Sequence, residues 1–181
     1  MTHFFTTLTG AAMLTCAALC ARGDALPQAE RVMLRSTEGL PVVDRLVVRK
    51  GERRLLLLHG EAVVRSYKVA LGLNPVGQKE RSGDFRTPEG HYRLGRRNAR
   101  SDYFLSIQVS YPNEADLKRA RARHWDAGGS IMIHGLPNQL KHEPAYYDTR
   151  DWTDGCIAVS NADMVEIWLL SPDEALIDIL P

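Results

Sequence analysis

Hydrophobic and polar positions divide this chain into three stretches. Residues 4–21 (FFTTLTGAAMLTCAALCA) are apolar or small and uncharged, and polarity returns at Arg22-Gly23-Asp24. Residues 26–42 are mixed and carry Pro27 and Pro41, as a linker does. From residue 43 onward the pattern becomes one of short β-type runs. Residues 45–50, 53–58 and 62–71, separated by turns at Gly51 and at His59-Gly60-Glu61, predict a three-strand meander. Residues 72–90 hold glycines and prolines at intervals and predict an extended loop. Further strands are expected at 91–94, 103–110, 130–135, 156–159 and 175–180. Two helices are expected: 113–124, with Asn113 as N-cap and acidic residues in its first turn, and 161–170, where Met164, Ile167 and Trp168 share a buried face. Residues 136–152 are polar and aromatic and predict a long loop. Seven or eight short strands with two flanking helices make a mostly-β, α+β domain.

Charge narrows the partners. A formal net charge of +1 and scattered arginines give no support to a nucleic-acid partner, and the densest basic group, 118–123, reads as the wet face of a helix. The apolar segment has the length and position of a secretory signal, although Met1-Thr2-His3 lacks Lys and Arg. Residues 1–25 are therefore read as a signal peptide or an N-terminal anchor, 26–42 as a linker and 43–181 as the functional domain. Cleavage before Ala21, cleavage after Ala25 and retention as an anchor are all compatible with the residues. An uncleaved segment would be the protein's one attachment to the membrane. Either way export to the periplasm is expected. Cys16 follows Thr15 and Cys20 follows Leu19, neither a lipoprotein context, so Cys156 is the single cysteine of the domain.

Cys156 stands in Asp151-Trp152-Thr153-Asp154-Gly155-Cys156-Ile157-Ala158-Val159-Ser160-Asn161. A free cysteine is commonly just a buried small hydrophobe, but a polar, glycine-containing turn places this one at a bend. All six histidines precede it, which excludes the papain-like order of cysteine before histidine. His59 sits in a hairpin turn, His91 follows a glycine and His124 ends a charged helix. His134 differs, because the apolar run 131–133 holds it and Gly135 turns the chain after it, the rigid placement a general base needs. A thiol activated by such a base is expected to titrate well below the free-cysteine value of about 8.5. A zinc site from His134, His142, Asp154 and Cys156 lacks any usual ligand spacing, so neither metal nor other cofactor is expected. Tyr146, Tyr147 and Trp152 read equally as packing or as the lining of a groove.

Together Ile133-His134-Gly135, Thr153-Asp154-Gly155-Cys156-Ile157-Ala158-Val159 and Asn161 resemble the signature of the L,D-transpeptidase catalytic domain of the YkuD type. Gly83-Asp84-Phe85-Arg86-Thr87-Pro88-Glu89-Gly90 is similar to that family's Gly-Asp-x-x-Thr-Pro-x-Gly stretch. The chain departs from the commoner family form at Asp154 and Ala158, where a histidine and an arginine are usual. The resemblance implies an L,D-transpeptidase-like β-sandwich acting on peptidoglycan stem tetrapeptides. It implies Cys156 as nucleophile, His134 as base, the Gly135 carbonyl as orienting group and the Gly155 and Cys156 N–H groups as oxyanion donors. Trp152, Thr153, Asp154, Tyr146 and Tyr147 are its candidate substrate-binding residues. The thioester would pass to an amine, forming a cross-link or attaching a protein. Passing it to water instead would make the protein a hydrolase that releases wall-linked lipoprotein or an L,D-carboxypeptidase. The alternative of a different class is a non-catalytic peptidoglycan-binding module.

Overall fold

The computed structural model describes residues 41–181; the apolar segment 4–21, both candidate cleavage points and the question of a retained anchor lie outside the described residues. Eight strands and three helices follow in chain order. They are β1 (Arg45–Arg49), β2 (Arg54–His59), β3 (Ala62–Lys68), β4 (Gly90–Ser101), β5 (Phe104–Val109), α1 (Glu114–Ala122), β6 (Met132–His134), α2 (Pro144–Thr149), β7 (Ile157–Ala158), α3 (Asn161–Leu170) and β8 (Leu176–Leu180). The strands run in the order β3-β2-β1-β8-β4-β5-β6-β7. β1 pairs in parallel with β8 and antiparallel with β2, so the C-terminal strand is stitched into the middle of the sheet.

The expected mostly-β domain is present, and its elements follow from burial. β1 and β2 bury Leu46, Val47, Val48 and Leu55 to Leu58, and for that reason they read as continuous apolar runs rather than alternating ones. β4 is long enough to serve two sub-sheets. Its first half pairs with β8 and its second with β5, with a register shift between Leu94 and Arg97 where it bends from one to the other. The chain beyond β3 closes the far end: Ala70 bridges Ala158 through two 2.8 Å hydrogen bonds, and Gly72 bridges Thr153, which accepts from the Leu73 N–H at 2.9 Å and donates to the Leu71 carbonyl at 3.0 Å. The two sub-sheets thus enclose one core, with Leu57, Leu71, Ile107, Ile133, Ile157, Met164 and Ile177 fully buried.

Two expectations need correction. The segment 136–152 contains a helix, α2, so the described residues hold three helices where two were expected. Pro144 opens α2 and no side chain caps it, while only Tyr147 of its residues is buried, so it shows neither a capping signal nor an apolar stripe. The second strand of the middle hairpin is preceded by a β4 that runs seven residues past the expected end at 94. Residues 95–101 (GRRNARS) are held by pairing with β5 rather than by burial. At α1, Asn113 caps as expected: its side chain accepts from the Asp116 N–H, and the Asp116 carboxylate accepts from the Asn113 N–H.

Candidate active site

Cys156 sits at the end of the turn that leads into β7, and Thr153 builds that turn. Its hydroxyl donates to the Cys156 carbonyl at 2.7 Å and accepts from the Gly155 N–H at 3.1 Å. Gly155 has φ +128°, a conformation L side chains rarely adopt, and a β-carbon there would lie 2.6 Å from the Arg86 carbonyl oxygen. The loop carrying Arg86 is in turn pinned by Asp84. That carboxylate accepts from Lys79 Nζ at 2.7 Å and from the N–H groups of Glu80, Arg81 and Arg86. Burial alone would raise the Asp84 pKa, but these four donors together hold it below the usual carboxylate value. The loop resembling Gly-Asp-x-x-Thr-Pro is thus the floor beneath the nucleophile's turn.

His134 ends β6 and is 4% exposed. Its Nδ1 lies 2.7 Å from the Gly135 carbonyl oxygen. A carbonyl only accepts, so Nδ1 carries the proton in the neutral ring and Nε2 keeps a free lone pair. Gly135 is required for packing: a β-carbon would lie 2.5 Å from Asn161 Oδ1. That same oxygen accepts from the Leu136 N–H at 2.8 Å, so Asn161 of the signature fixes the chain immediately beyond the base.

Cys156 and His134 open into one cleft of about 500 Å³. Trp152, Thr153 and Asp154 line it too, as their place in the signature suggests. Tyr146 and Tyr147 do not. Tyr147 is buried, its hydroxyl accepts from the Lys141 N–H, and it packs edge-on against Trp152 with ring centres 5.1 Å apart. It faces a second cavity of about 590 Å³ on the other side of Trp152. Tyr146 packs instead against His142, with ring centres 4.2 Å apart, and His142 does not line the cleft. Among the described residues no three His, Cys, Asp or Glu side chains gather as a metal site. The sequence reading missed Tyr103, whose ring lies 4.6 Å from the imidazole and walls the cleft. It also missed Asn98, Arg100 and Ser106, which line the same cleft. Tyr103 comes from the turn between β4 and β5, and nothing in its local sequence reveals where that turn points.

The electrostatics correct one expectation. Burial pushes the Cys156 thiol up, opposed by the Met132 backbone, and the Asp154 charge pushes it further. Burial also pushes the His134 imidazole down, against the Gly135 carbonyl. Both shifts favour the neutral forms, the opposite direction from the low thiol titration expected. The thiol points its own hydrogen bond at the Ser130 carbonyl, with Sγ and oxygen 3.5 Å apart. What joins the thiol to the imidazole is the cleft they share, since the thiol's own hydrogen bond runs to Ser130 and not to the ring.

The comparisons with known proteins agree with this geometry. The L,D-transpeptidase catalytic domain (YkuD) pattern matches residues 43–179. YafK of Escherichia coli strain K12, itself named as a candidate L,D-transpeptidase, is 36% identical over 125 residues, which are 68% of this chain and 40% of YafK. The chain thus spans about two-fifths of the curated relative it matches. Among solved structures, the helical cell shape determining protein Pgp2 from Campylobacter jejuni superposes with a TM-score of 0.58 at 24% identity, over 76% of this chain and 47% of that one. The L,D-transpeptidase of Xylanimonas cellulosilytica (residues 123–326) superposes with a TM-score of 0.50 at 16% identity, over 84% and 69%. Those two likenesses establish the fold. By the extent of the family match, the chain belongs to the L,D-transpeptidase catalytic domain family, whose members modify peptidoglycan.

Proposed function

We propose that this protein is an exported envelope enzyme that transfers acyl groups between peptidoglycan stem peptides through a Cys156 thioester. The observation that carries the reading is the shared cleft, in which a thiol and an imidazole with a fixed Nδ1–H tautomer face the same space. His134 Nε2 takes the thiol proton as Sγ bonds to the carbonyl carbon of the third residue of a stem tetrapeptide. The Gly155 N–H is already committed to Thr153, which leaves the Cys156 N–H for the oxyanion role first expected of both. Collapse of the tetrahedral intermediate breaks the bond to the terminal D-alanine, whose amine leaves with the proton from His134. The thioester then passes to an incoming amine, which forms the new amide as the thiol regains its proton. The acceptor is a second stem peptide or a protein lysine.

Intact mass spectrometry of the full chain after exposure to a carbapenem tests the nucleophile. An adduct on the native protein and none on Cys156→Ala supports it; binding to sacculi with no adduct on either would make the protein a wall-binding module. Muropeptide profiles of deletion and overproducing strains test the acceptor. Loss of cross-links between third-position residues on deletion supports transfer. Unchanged cross-links with more wall-bound lipoprotein would assign water as the acceptor and the protein as a hydrolase.

A further inference from the structure

We infer that Arg100 is a specificity-determining residue that holds a carboxylate of the acyl donor at the mouth of the Cys156 cleft. This rests on the acyl-transfer reading above and adds a recognition element to it. The signature motifs do not include Arg100; the path of β4 brings it to the cleft.

β4 and β5 pair Asn98 with Ser106 and Ser101 with Phe104, with a register irregularity between them. Arg100 lies in that irregular step, and its backbone is fixed there by its N–H donating to Asn98 Oδ1 at 2.9 Å. β5 in turn pairs Ser106 with His134. Asn98, Ser106 and His134 thus form one row across three strands, at roughly 4.8 Å per strand, and all three line the cleft. The row leads from Asn98, which holds the Arg100 N–H, to the imidazole.

The charges around the cleft single out one position for an anion. Apart from the His134 imidazole, Arg100 is the one basic side chain among the described residues lining it; Asp102 and Asp154 supply the acids. A donor carboxylate is repelled near either aspartate and favoured near the guanidinium. Arg100 is also free to act. Its neighbour Arg97 is fully used, with Nε on Asp173 and both terminal nitrogens on the Trp168 and Ser171 carbonyls. Arg100 makes no ion pair and no side-chain hydrogen bond among the described residues. An arginine held at a reactive cleft with its fork unoccupied fits a planar carboxylate in two parallel hydrogen bonds.

In a stem-type tetrapeptide whose third residue is a diamino diacid, the two carboxylates that flank the scissile bond are the C-terminal one and the one on the third residue's side chain. The test uses three synthetic donors with the full chain: the free acid, the C-terminal amide and the third-residue side-chain amide. Release of the fourth residue gives kcat/KM, and alkylation of Cys156 by neutral iodoacetamide reports that each preparation keeps a reactive site. The native protein is expected to prefer the free acid over one of the two amides by roughly ten- to hundredfold, and the amide that loses identifies the carboxylate. In Arg100→Gln that ratio is expected to collapse towards one, and Arg100→Lys is expected to restore part of it. Equal use of acid and both amides by the native protein overturns the inference without Arg100 being touched. A preference that survives unchanged in Arg100→Gln overturns the assignment to Arg100. A native protein whose Cys156 alkylates but which consumes none of the donors overturns the stem-peptide reading itself, and this inference falls with it.

Discussion

The α-carbon of Gly155 lies so near the Arg86 carbonyl that a β-carbon would stand 2.6 Å from its oxygen. The relationship joins two motifs separated by some seventy residues, because the turn that presents Cys156 rests directly on the backbone of the 83–90 loop. Gly72 makes the same kind of contact with the neighbouring residue of that loop, its β-carbon position lying 2.1 Å from the Phe85 carbonyl oxygen. Gly155→Ala must therefore both strain a positive φ and push the turn off its floor. We expect it to cost about 2–4 kcal/mol of stability and to slow carbapenem acylation of Cys156 by more than tenfold at temperatures where the variant is still folded. Thermal unfolding with acylation kinetics on the same preparation checks this. Native acylation in a folded Gly155→Ala would show that the contact does not place the nucleophile.

The Asp84–Lys79 pair carries that floor. Their side chains are 9% and 4% exposed, and Asp84 has three backbone N–H partners besides. Asp84→Ala leaves a buried ammonium uncompensated and should destabilise the domain by about 3–5 kcal/mol. Because the folded Asp84 pKa lies below the unfolded value of about 3.9, its contribution is complete above that pH and is lost as pH falls through the folded value. The melting temperature of the native protein should therefore drop below about pH 3.9 more steeply than that of Asp84→Asn. Parallel acid profiles would mean the carboxylate is not held in its charged form.

What was legible in the sequence follows from what each residue does locally. β1 and β2 are apolar because they are buried, so their composition announces them; residues 95–101 of β4 are polar because only backbone pairing makes them a strand. Cys156 and His134 were legible because each carries its own turn glycine, Gly155 and Gly135, and both glycines are forced by close approach of neighbouring groups. Tyr103 and Arg100 were not, since a hairpin turn and a register irregularity aim them at the cleft, and both depend on how strands far apart in sequence pair. Thr153 was legible as a site residue, yet its contacts are those of a brace within the turn.

Trp152 stands between the cleft and the second cavity, with its indole N–H buried and without a hydrogen-bond partner. An unpaired buried donor costs about 1–3 kcal/mol, which Trp152→Phe removes while keeping an aromatic ring against His134 and Tyr147. The substitution should leave stability unchanged or raise it, whereas Trp152→Ala, which opens the wall, should lower it by about 3–5 kcal/mol. Denaturant unfolding of the two variants settles the comparison. A loss in Trp152→Phe as large as that in Trp152→Ala would mean the N–H has a partner essential to the fold.

Burial raises the Cys156 thiol and lowers the His134 imidazole, and shifts in those directions separate two pH profiles that a thiolate–imidazolium pair would merge. Alkylation by iodoacetamide follows the thiolate, and burial raises that pKa, so its midpoint should lie above the free-cysteine value of about 8.5. Acylation by a peptide donor needs the imidazole in its basic form, and burial lowers that pKa. Its acid limb should therefore have a midpoint below about 6.5, with the rate rising as pH increases through it. His134→Ala should slow donor acylation by roughly 10²–10⁴-fold while leaving the alkylation midpoint high, because the thiol's pKa is set by burial, the Met132 backbone and Asp154 rather than by the ring. His124→Ala, at an exposed position beyond α1, should change neither by as much as twofold. Stopped acylation and alkylation series across pH 5–10 on the three proteins give the answer. An alkylation midpoint well below 8.5 in the native protein that rises in His134→Ala would show a preformed ion pair, and the concerted proton transfer would have to be abandoned.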